Sequence, residues 1–533
     1  MHRALVFVPI HIPMPSRIQS YLLQGIDALP CEVEVNYSEL ESEQESRTLI
    51  VGLPDAAVKE STERVRAAIS NSMYAWGQSK VVINLAPADI RKEGPTYDLP
   101  IAIGILAAVN VIQPVRSPDQ RGLDYRKLLF GGELALDGRV RPVKGAIALA
   151  ALAKARGAAG VIVSAENASE AAVVKGINIY GVRTLTEVVG LLNGSIEAEP
   201  VSPPDIEGLL MSSAAPIDFG DVRGQEGVKR AIVIAAAGGH NLLMLGPPGT
   251  GKTMMAKALP GVLPPLSPEE AVEITRIYSA AGALAPGQSL VSVRPVRSPH
   301  HTSSTAAIVG GGQVPRPGEI SLCHRGVLFL DELAEFDRDV LEALRQPLED
   351  HVVHIARAHG SVKFPASFML IAAMNPTPKG DMPVGDVGKR AMERYMDKLS
   401  GPMLDRIDLH VEAPAVPFKE LSKGSDGKPV PKGTDTATMR AQVMSARQRQ
   451  IDRQGVLTPN ARLSGRQLDQ LATLDLPTTT LLGDAMTQLG FSARAYDKLR
   501  RIARTIADLE GSEKVQQHHI LEAIQYRLLD RKL

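Results

Sequence analysis

The run Gly246-Pro-Pro-Gly-Thr-Gly-Lys252-Thr253 stands directly behind the apolar stretch Asn241-Leu-Leu-Met-Leu245 and constrains the fold of this chain more than any other segment. Glycine accepts backbone angles that turn successive N–H groups inward without a Cβ clash, so the loop can cradle phosphate oxygens. The spacing predicts a buried strand ending at Leu245 and a phosphate-binding loop over Gly246, Pro247, Pro248, Gly249, Thr250 and Gly251. A helix should open at Lys252, its N-terminus facing the phosphates. In that geometry Lys252 reaches the β/γ-phosphates of a nucleoside triphosphate, ATP in the first instance, and the Thr253 hydroxyl ligates Mg2+. The alternative is an ordinary Gly-rich turn between strand and helix.

A second signature follows in the required order. Gly326-Val-Leu-Phe-Leu330 reads as a buried strand ending in Asp331-Glu332. Asp331 would hold Mg2+ through water, and Glu332 would polarise the attacking water for in-line displacement of the γ-phosphate. Phe368-Met-Leu-Ile-Ala-Ala-Met374 is the next buried strand and ends in Asn375, which either orients the lytic water or simply starts a loop before Pro376. Arg406 has the chemistry of a charged finger for a neighbouring subunit's nucleotide; otherwise it pairs within its own chain with Asp405 or Asp408. Arg494 heads a helix and is the candidate that couples the γ-phosphate to a lid.

Composition excludes several classes. Lys+Arg and Asp+Glu both total 59, so no whole-chain basic field advertises a nucleic-acid partner, and any polyanion site must be local or assembled by oligomerisation. The two cysteines, Cys31 and Cys323, lie far apart, which argues against a disulfide framework or thiolate metal cluster and fits a reducing cytoplasm. The apolar run Leu99 to Ile112 is interrupted by Pro100 and Asn110 and is too short for a bilayer, so no membrane partner is expected.

Residues 1–18, interrupted by Pro9, His11 and Pro13, read as an irregular extension, with Met14 an alternative start. Residues 19–195 alternate strand-like and helical segments and form an α/β domain. Residues 196–216 read as a linker, 217–418 as the nucleotide domain, and 419–440 as a flexible connection. From 441 to 533 the chain is helical, with Leu499, Ile502, Ala503, Ile506 and Ala507 forming one amphipathic stripe.

Taken in series, Gly246 to Thr253, Leu330-Asp-Glu332, Asn375, Arg406 and Arg494 resemble an AAA+ ATPase. Longer strings narrow the likeness: Val296-Arg-Ser-Pro-His-His301, Pro317-Gly-Glu-Ile-Ser321, Leu399 to Val411, Ile50 to Ser61 and Asn84 to Gly94 resemble the magnesium-chelatase-like AAA+ proteins of the competence protein ComM/YifB family. That resemblance implies an α/β protein with a Lon-protease-like amino-terminal domain, an AAA+ P-loop domain with a parallel sheet, and a C-terminal helical lid. It also implies a cytoplasmic, DNA-binding, homo-oligomeric ring, hexameric, whose competence member acts as a branch-migration helicase. Two stretches could line the channel of such a ring: Arg294, Arg297, His300 and His301, and a hairpin over Val352 to Phe364 carrying Arg357, His359 and Lys363. Either is otherwise a solvated loop.

Departures from the pattern matter. In the Lon-like region Thr96 occupies the nucleophile position, but the amine position falls near Ala146 or Ile147 and Lys144 is out of register, so proteolysis is not expected. After Asn375, where relatives often carry cysteines, this chain has Thr377-Pro-Lys-Gly-Asp-Met, and no structural zinc is expected. The alternatives to a DNA motor are the motor subunit of magnesium chelatase and a nucleotide-switched assembly scaffold.

Overall fold

The computed structural model describes all residues other than 1–14, 41–45, 116–120, 212–216, 313, 358–359, 378–394, 396–397, 417–432, 456–457, 528 and 530–533. The chain divides into two units, residues 1–207 with 271–291, and residues 208–270 with 292–533.

The first unit contains β1 (Ser16–Gln24), β2 (Asp27–Glu39), β3 (Arg47–Val51), β4 (Ser79–Ala86), β5 (Leu128–Gly131), β6 (Glu133–Leu134), β7 (Val140–Arg141), β8 (Gly160–Ser164) and β9 (Asn178–Val182). Among the described residues, seven of these form one sheet in the order β3-β4-β2-β1-β5-β8-β9, while β6 and β7 make a small hairpin. β1 pairs antiparallel with β2, and β5, β8 and β9 run parallel. The helix Asp98–Ala108 is apolar all round because nearly all of it is buried, from Leu99 to Leu106. Gly104 lets it lie close to β2, since a Cβ there would stand 2.6 Å from Val35 Cγ2. The helix Ala56–Asn71 is capped by Asp55, whose carboxylate accepts from Val58 N at 2.7 Å and from Gly94 N at 3.1 Å.

Several expected boundaries shift. The extension expected over residues 1–18 ends earlier, because β1 begins at Ser16 and pairs with Val35; Ile18 is fully buried beneath it, while Arg17 between them points outward. The prolines end at Pro15, and strand alternation takes over at once. The stretch expected as a linker holds a short helix, Ile206–Met211, with Leu210 buried. Residues 271–291, placed by sequence inside the nucleotide domain, group with the first unit. There the Ser279 hydroxyl donates to Glu170 Oε1 at 3.3 Å, and Arg276 pairs with Asp27.

The second unit contains β10 (Leu242–Leu245), β11 (Val296–Arg297), β12 (Gly310–Gly311), β13 (Arg316–Pro317), β14 (Val327–Leu330), β15 (Val352–Arg357), β16 (Gly360–Pro365), β17 (Met369–Met374) and β18 (Leu409–Glu412). Its central sheet is wholly parallel in the order β11-β14-β17-β10-β18. β10, β14 and β17 are buried at every position, which explains why they read as uninterrupted apolar runs rather than alternating ones. β15 and β16 form the expected hairpin.

The helices Thr436–Gln454, Gly465–Leu471, Leu476–Leu489, Ala493–Glu510 and Gln517–Gln525 follow. The first begins inside the connection expected over 419–440, most of which lies outside the described residues. The predicted stripe of Leu499, Ile502, Ala503, Ile506 and Ala507 is fully buried, in one core with Val228, Ile232 and Leu242. Buried charges lock it. Asp508 accepts from Arg453 at 2.6 and 2.9 Å, from Arg504 at 2.9 Å and from Asn460 at 2.8 Å, and Arg504 also donates to the Ser512 and Glu513 carbonyls at 2.6 Å.

Candidate nucleotide site

Parallel pairing sets the carboxyl ends of β10, β14 and β17 side by side, with Leu245 opposite Met374 and Leu330 opposite Ala372. The chain segments leaving these strands are the Gly246 loop, Asp331-Glu332 and Asn375, so three separate sequence signatures meet at one sheet edge. Gly246 has a steric reason to be glycine: a Cβ would lie 2.1 Å from the Ala413 carbonyl oxygen. Gly249 and Gly251 have a conformational one, with φ of 80° and 83°.

Within the loop the Lys252 ammonium donates to the carbonyls of Gly246 at 2.6 Å and Pro247 at 2.8 Å, and to Asn375 Oδ1 at 3.3 Å. Burial pulls the Lys252 pKa below its ordinary value, and the nearby Asp331 carboxylate acts the other way. The Thr253 hydroxyl donates to Asp331 Oδ2 at 2.6 Å. A hydroxyl and a carboxylate oxygen so placed are the hard oxygen donors that Mg2+ takes, alongside a triphosphate, in an octahedral shell. Asp331 Oδ1 accepts from the Glu332 backbone N–H at 3.0 Å, and Glu332 is held in a left-handed conformation, φ 52°.

Arg406 is 12 % exposed and already engaged within its own chain. Its partner is Glu349, with a second bond to the Pro402 carbonyl at 2.9 Å, rather than Asp405 or Asp408. Its Nε is buried and has no hydrogen-bond partner. Arg494 is well exposed and reaches Asp405 Oδ2 at 3.2 Å. Lys498, one turn further along the same helix, donates to the Ile407 carbonyl at 3.2 Å and to that of Asp405. The turn that carries Arg406 is therefore gripped by the helix that carries Arg494. Sequence order offered no sign of Glu349 or Lys498 in these roles, since both contacts are long-range.

The candidate nucleic-acid residues separate on inspection. Arg294 is a structural residue and not a free cation: its guanidinium donates to the carbonyls of Pro264 at 2.7 Å, Arg325 at 2.6 Å and Pro265 at 3.2 Å, and pairs with Glu270 at 2.8 Å. Arg297 lies on the edge strand β11 and makes a two-pronged pair with Glu319 at 2.6 and 2.8 Å. His301 faces Glu332, its Nδ1 3.2 Å from the carboxylate. His300 and Lys363 are exposed. Arg357 ends β15, its side chain and His359 lying outside the described residues, as does the segment from Pro378 onward that replaces the cysteines of relatives.

Two further features bear on cofactors. Cys31 and Cys323 are free, buried thiols. Among the described residues, Glu510, His518 and His519 bring three potential metal ligands together. However, His519 Nδ1 accepts from the Gln516 backbone N–H at 2.9 Å, so its proton sits on Nε2 and is donated to Glu510 at 3.0 Å. That tautomer has no lone pair to offer a metal at Nε2. No described helix is long and apolar enough to cross a membrane.

The chain is 44% identical over 512 residues to the uncharacterized protein YifB of Escherichia coli (strain K12), covering 96% of both. It is 42% identical to the competence protein ComM of Haemophilus influenzae, covering 91% of this chain and 92% of that one. The chain belongs to the magnesium-chelatase-like ComM/YifB family. Three family descriptions match in tandem: subunit ChlI of Mg-chelatase over residues 33–167, magnesium chelatase subunit ChlI over 218–421, and its C-terminal part over 433–527. The 38 kDa subunit of magnesium chelatase from Rhodobacter capsulatus is more remote, 25% identical over 57% of this chain and 84% of that one. The parallel sheet and helical C-terminal region are consistent with an AAA+ fold of this family.

Proposed function

We propose that this protein is an ATP-hydrolysing AAA+ motor that works on DNA as a homo-oligomeric ring, hexameric, in DNA uptake or recombination in the cytoplasm. The observation that carries the ATPase reading is the Thr253–Asp331 hydrogen bond, with Lys252 and Asn375 joined beside it. Mg2+ bound there would neutralise developing charge on the β- and γ-phosphate oxygens. Lys252 would turn from the loop carbonyls to the β/γ-phosphates, an exchange of two neutral acceptors for charged ones. Asp331 and the Thr253 hydroxyl would supply oxygen ligands. Glu332 would accept a proton from the attacking water, and Asn375 would orient that water.

Arg406 and Arg494 would complete the charge stabilisation, Arg406 from a neighbouring subunit after leaving Glu349. A ring has a physical motive, because an arginine finger acts mainly on an adjacent site. The DNA reading is supported by the name and near full-length likeness of the competence protein. In this reading His300, Lys363 and Arg357 remain as channel candidates, while Arg294 and Arg297 serve the fold.

The amino-terminal unit is read as a non-proteolytic module. Ala146 and Ile147, at the position an amine base would need, are buried apolar side chains. A magnesium-chelatase motor is the second reading, favoured by the tandem family matches, but the remote likeness to the chelatase subunit covers only 57% of the chain. Replacing Lys252 with Ala tests the site: ATP turnover should be lost, and full turnover in that variant would place the nucleotide elsewhere.

A further inference from the structure

Arg294, Arg325 and Ser367 each stand two residues ahead of a strand, β11, β14 and β17 respectively, and those three strands are neighbours in the parallel sheet. The three residues therefore meet at its amino edge, opposite the edge that carries the nucleotide loop. Arg294 donates to the Arg325 carbonyl at 2.6 Å, and the Arg325 backbone N–H donates to the Ser367 carbonyl at 2.6 Å. Two more arginines arrive from the helical region. Arg462, which ends the short turn Asn460–Arg462, donates to the Ser367 hydroxyl at 2.5 Å. Arg447, on the helix Thr436–Gln454, donates to Gln450 Oε1 at 3.3 Å and lies within electrostatic reach of Arg294, Glu270 and Arg462.

Four guanidinium groups thus gather round the carboxylate of Glu270, which pairs with Arg294 at 2.8 Å and stands 3.9 Å from Arg325. Among the described residues neither Arg447 nor Arg462 forms an ion pair, although both are half-buried. Burial, with Arg294 and Arg462 adding to it, pulls the Arg447 pKa down to about 10, and burial with Arg325 does the same to Arg462. Both stay charged at neutral pH, so their charge is held at a cost that an anion would relieve. His351, whose carbonyl accepts from Ala366 N at 2.8 Å, is pushed down to about 4 by burial, Arg462 and Arg325, and adds no charge. A guanidinium has five N–H donors, and Arg447 and Arg462 each spend one hydrogen bond on described residues. No nitrogen of either is both buried and unpartnered, so the spare donors face space that a solute can enter.

We propose that Arg447 and Arg462, with Arg325 beside them, bind a phosphate-type oxyanion at the amino edge of the parallel sheet, apart from the nucleotide loop. Each planar guanidinium presents paired N–H donors that match two oxygens of one phosphate. Forks arriving from separate segments need several oxygens around one centre, which a tetrahedral oxyanion offers and a carboxylate does not. The same chemistry serves a free phosphate or one in a nucleic-acid backbone.

The test is thermal melting of the full-length protein carrying Lys252→Ala, which keeps phosphate at the nucleotide loop out of the reading. It is compared with the same protein carrying Arg447→Gln and Arg462→Gln as well, each melted in chloride, inorganic phosphate and pyrophosphate at matched ionic strength. The expected result is a saturable rise of roughly 2–4 °C over chloride with both arginines present, absent from the Gln variant. Should the double change prevent folding, Arg447→Gln alone carries the test, with the rise expected to fall by about half or more. Fluorescence anisotropy with a labelled single-stranded oligonucleotide separates the two sources. A backbone phosphate in the site predicts a log–log salt slope shallower by about 0.7 in the Gln variant, whereas a rise in phosphate with an unchanged slope assigns the free anion. An equal rise in both proteins would overturn the proposal, as would no rise together with an unchanged slope.

Discussion

The Thr253 hydroxyl donates to Asp331 Oδ2 at 2.6 Å, joining the first residue after the loop lysine to the acid that follows β14. Neither residue is placed by its own segment alone; the parallel register of β14, β17 and β10 brings them together. Asp331→Asn keeps the shape of this pair but removes the negative charge that makes it a hard ligand. The variant should retain nucleotide binding and lose the Mg2+ dependence of that binding. Turnover should fall by at least about a hundredfold, as for loss of a major electrostatic contact. Titrating a fluorescent ATP analogue with and without Mg2+ checks it.

Arg406 is held by Glu349 of its own chain, so its proposed role requires a neighbour's nucleotide to compete for it. Arg406→Ala and Glu332→Gln should each be inactive alone. Mixed together, they should recover activity, because a Glu332→Gln subunit still offers its arginine to an Arg406→Ala subunit with an intact base. An inactive mixture, from subunits shown to co-assemble, would assign Arg406 to its own chain.

Glu170 is buried in the first unit, where it accepts from Ser279 and Asn167, and burial raises its pKa to about 7 from an ordinary 4.5. Between those values the folded state binds more protons than the unfolded state, so stability contributed at this site falls as pH rises through that window. The parent protein should lose stability between pH 5 and 8 relative to Glu170→Gln, by an amount on the order of 2 kcal/mol, seen as a lowered melting temperature. Parallel thermal melts of the two proteins measure the difference directly. Identical pH profiles would show that Glu170 is not protonated in the folded state.

Arg294 and Lys363 should separate cleanly. Removing the Arg294 guanidinium strands three carbonyls and Glu270, so Arg294→Ala should lower the melting temperature by an amount equivalent to about 2–4 kcal/mol. Lys363→Ala leaves stability within about 0.5 kcal/mol, as expected for an exposed site. If Lys363 contacts a phosphate, the same change should lower the salt dependence of DNA binding by about 0.7–0.9 in log–log slope. Fluorescence anisotropy across a salt series reads both slopes.

Much of this was legible in the chain because each signature is local. The strand before Gly246, the acids after Leu330 and the tip at Asn375 each announce themselves within a few residues. The stripe on the helix Ala493–Glu510 follows from its period alone. What escaped was non-local. β1 begins at Ser16 because β2 and β5 receive it on either side, which no short window displays. The grouping of residues 271–291 with the first unit depends on Ser279 finding Glu170 and Arg276 finding Asp27. Arg294 looked like a free cation because its neutralising partners, three carbonyls and a carboxylate, are distributed over other segments. His301 was read by charge, and what lies opposite it, Glu332, belongs to a distant segment.

The most direct measurement of the central claim is ATP turnover by the parent protein and by Glu332→Gln, with and without forked or four-way-junction DNA. The account predicts turnover by the parent that rises severalfold on adding branched DNA, and none by Glu332→Gln although it still binds nucleotide. Turnover indifferent to every DNA, and stimulated instead by a porphyrin, would contradict it.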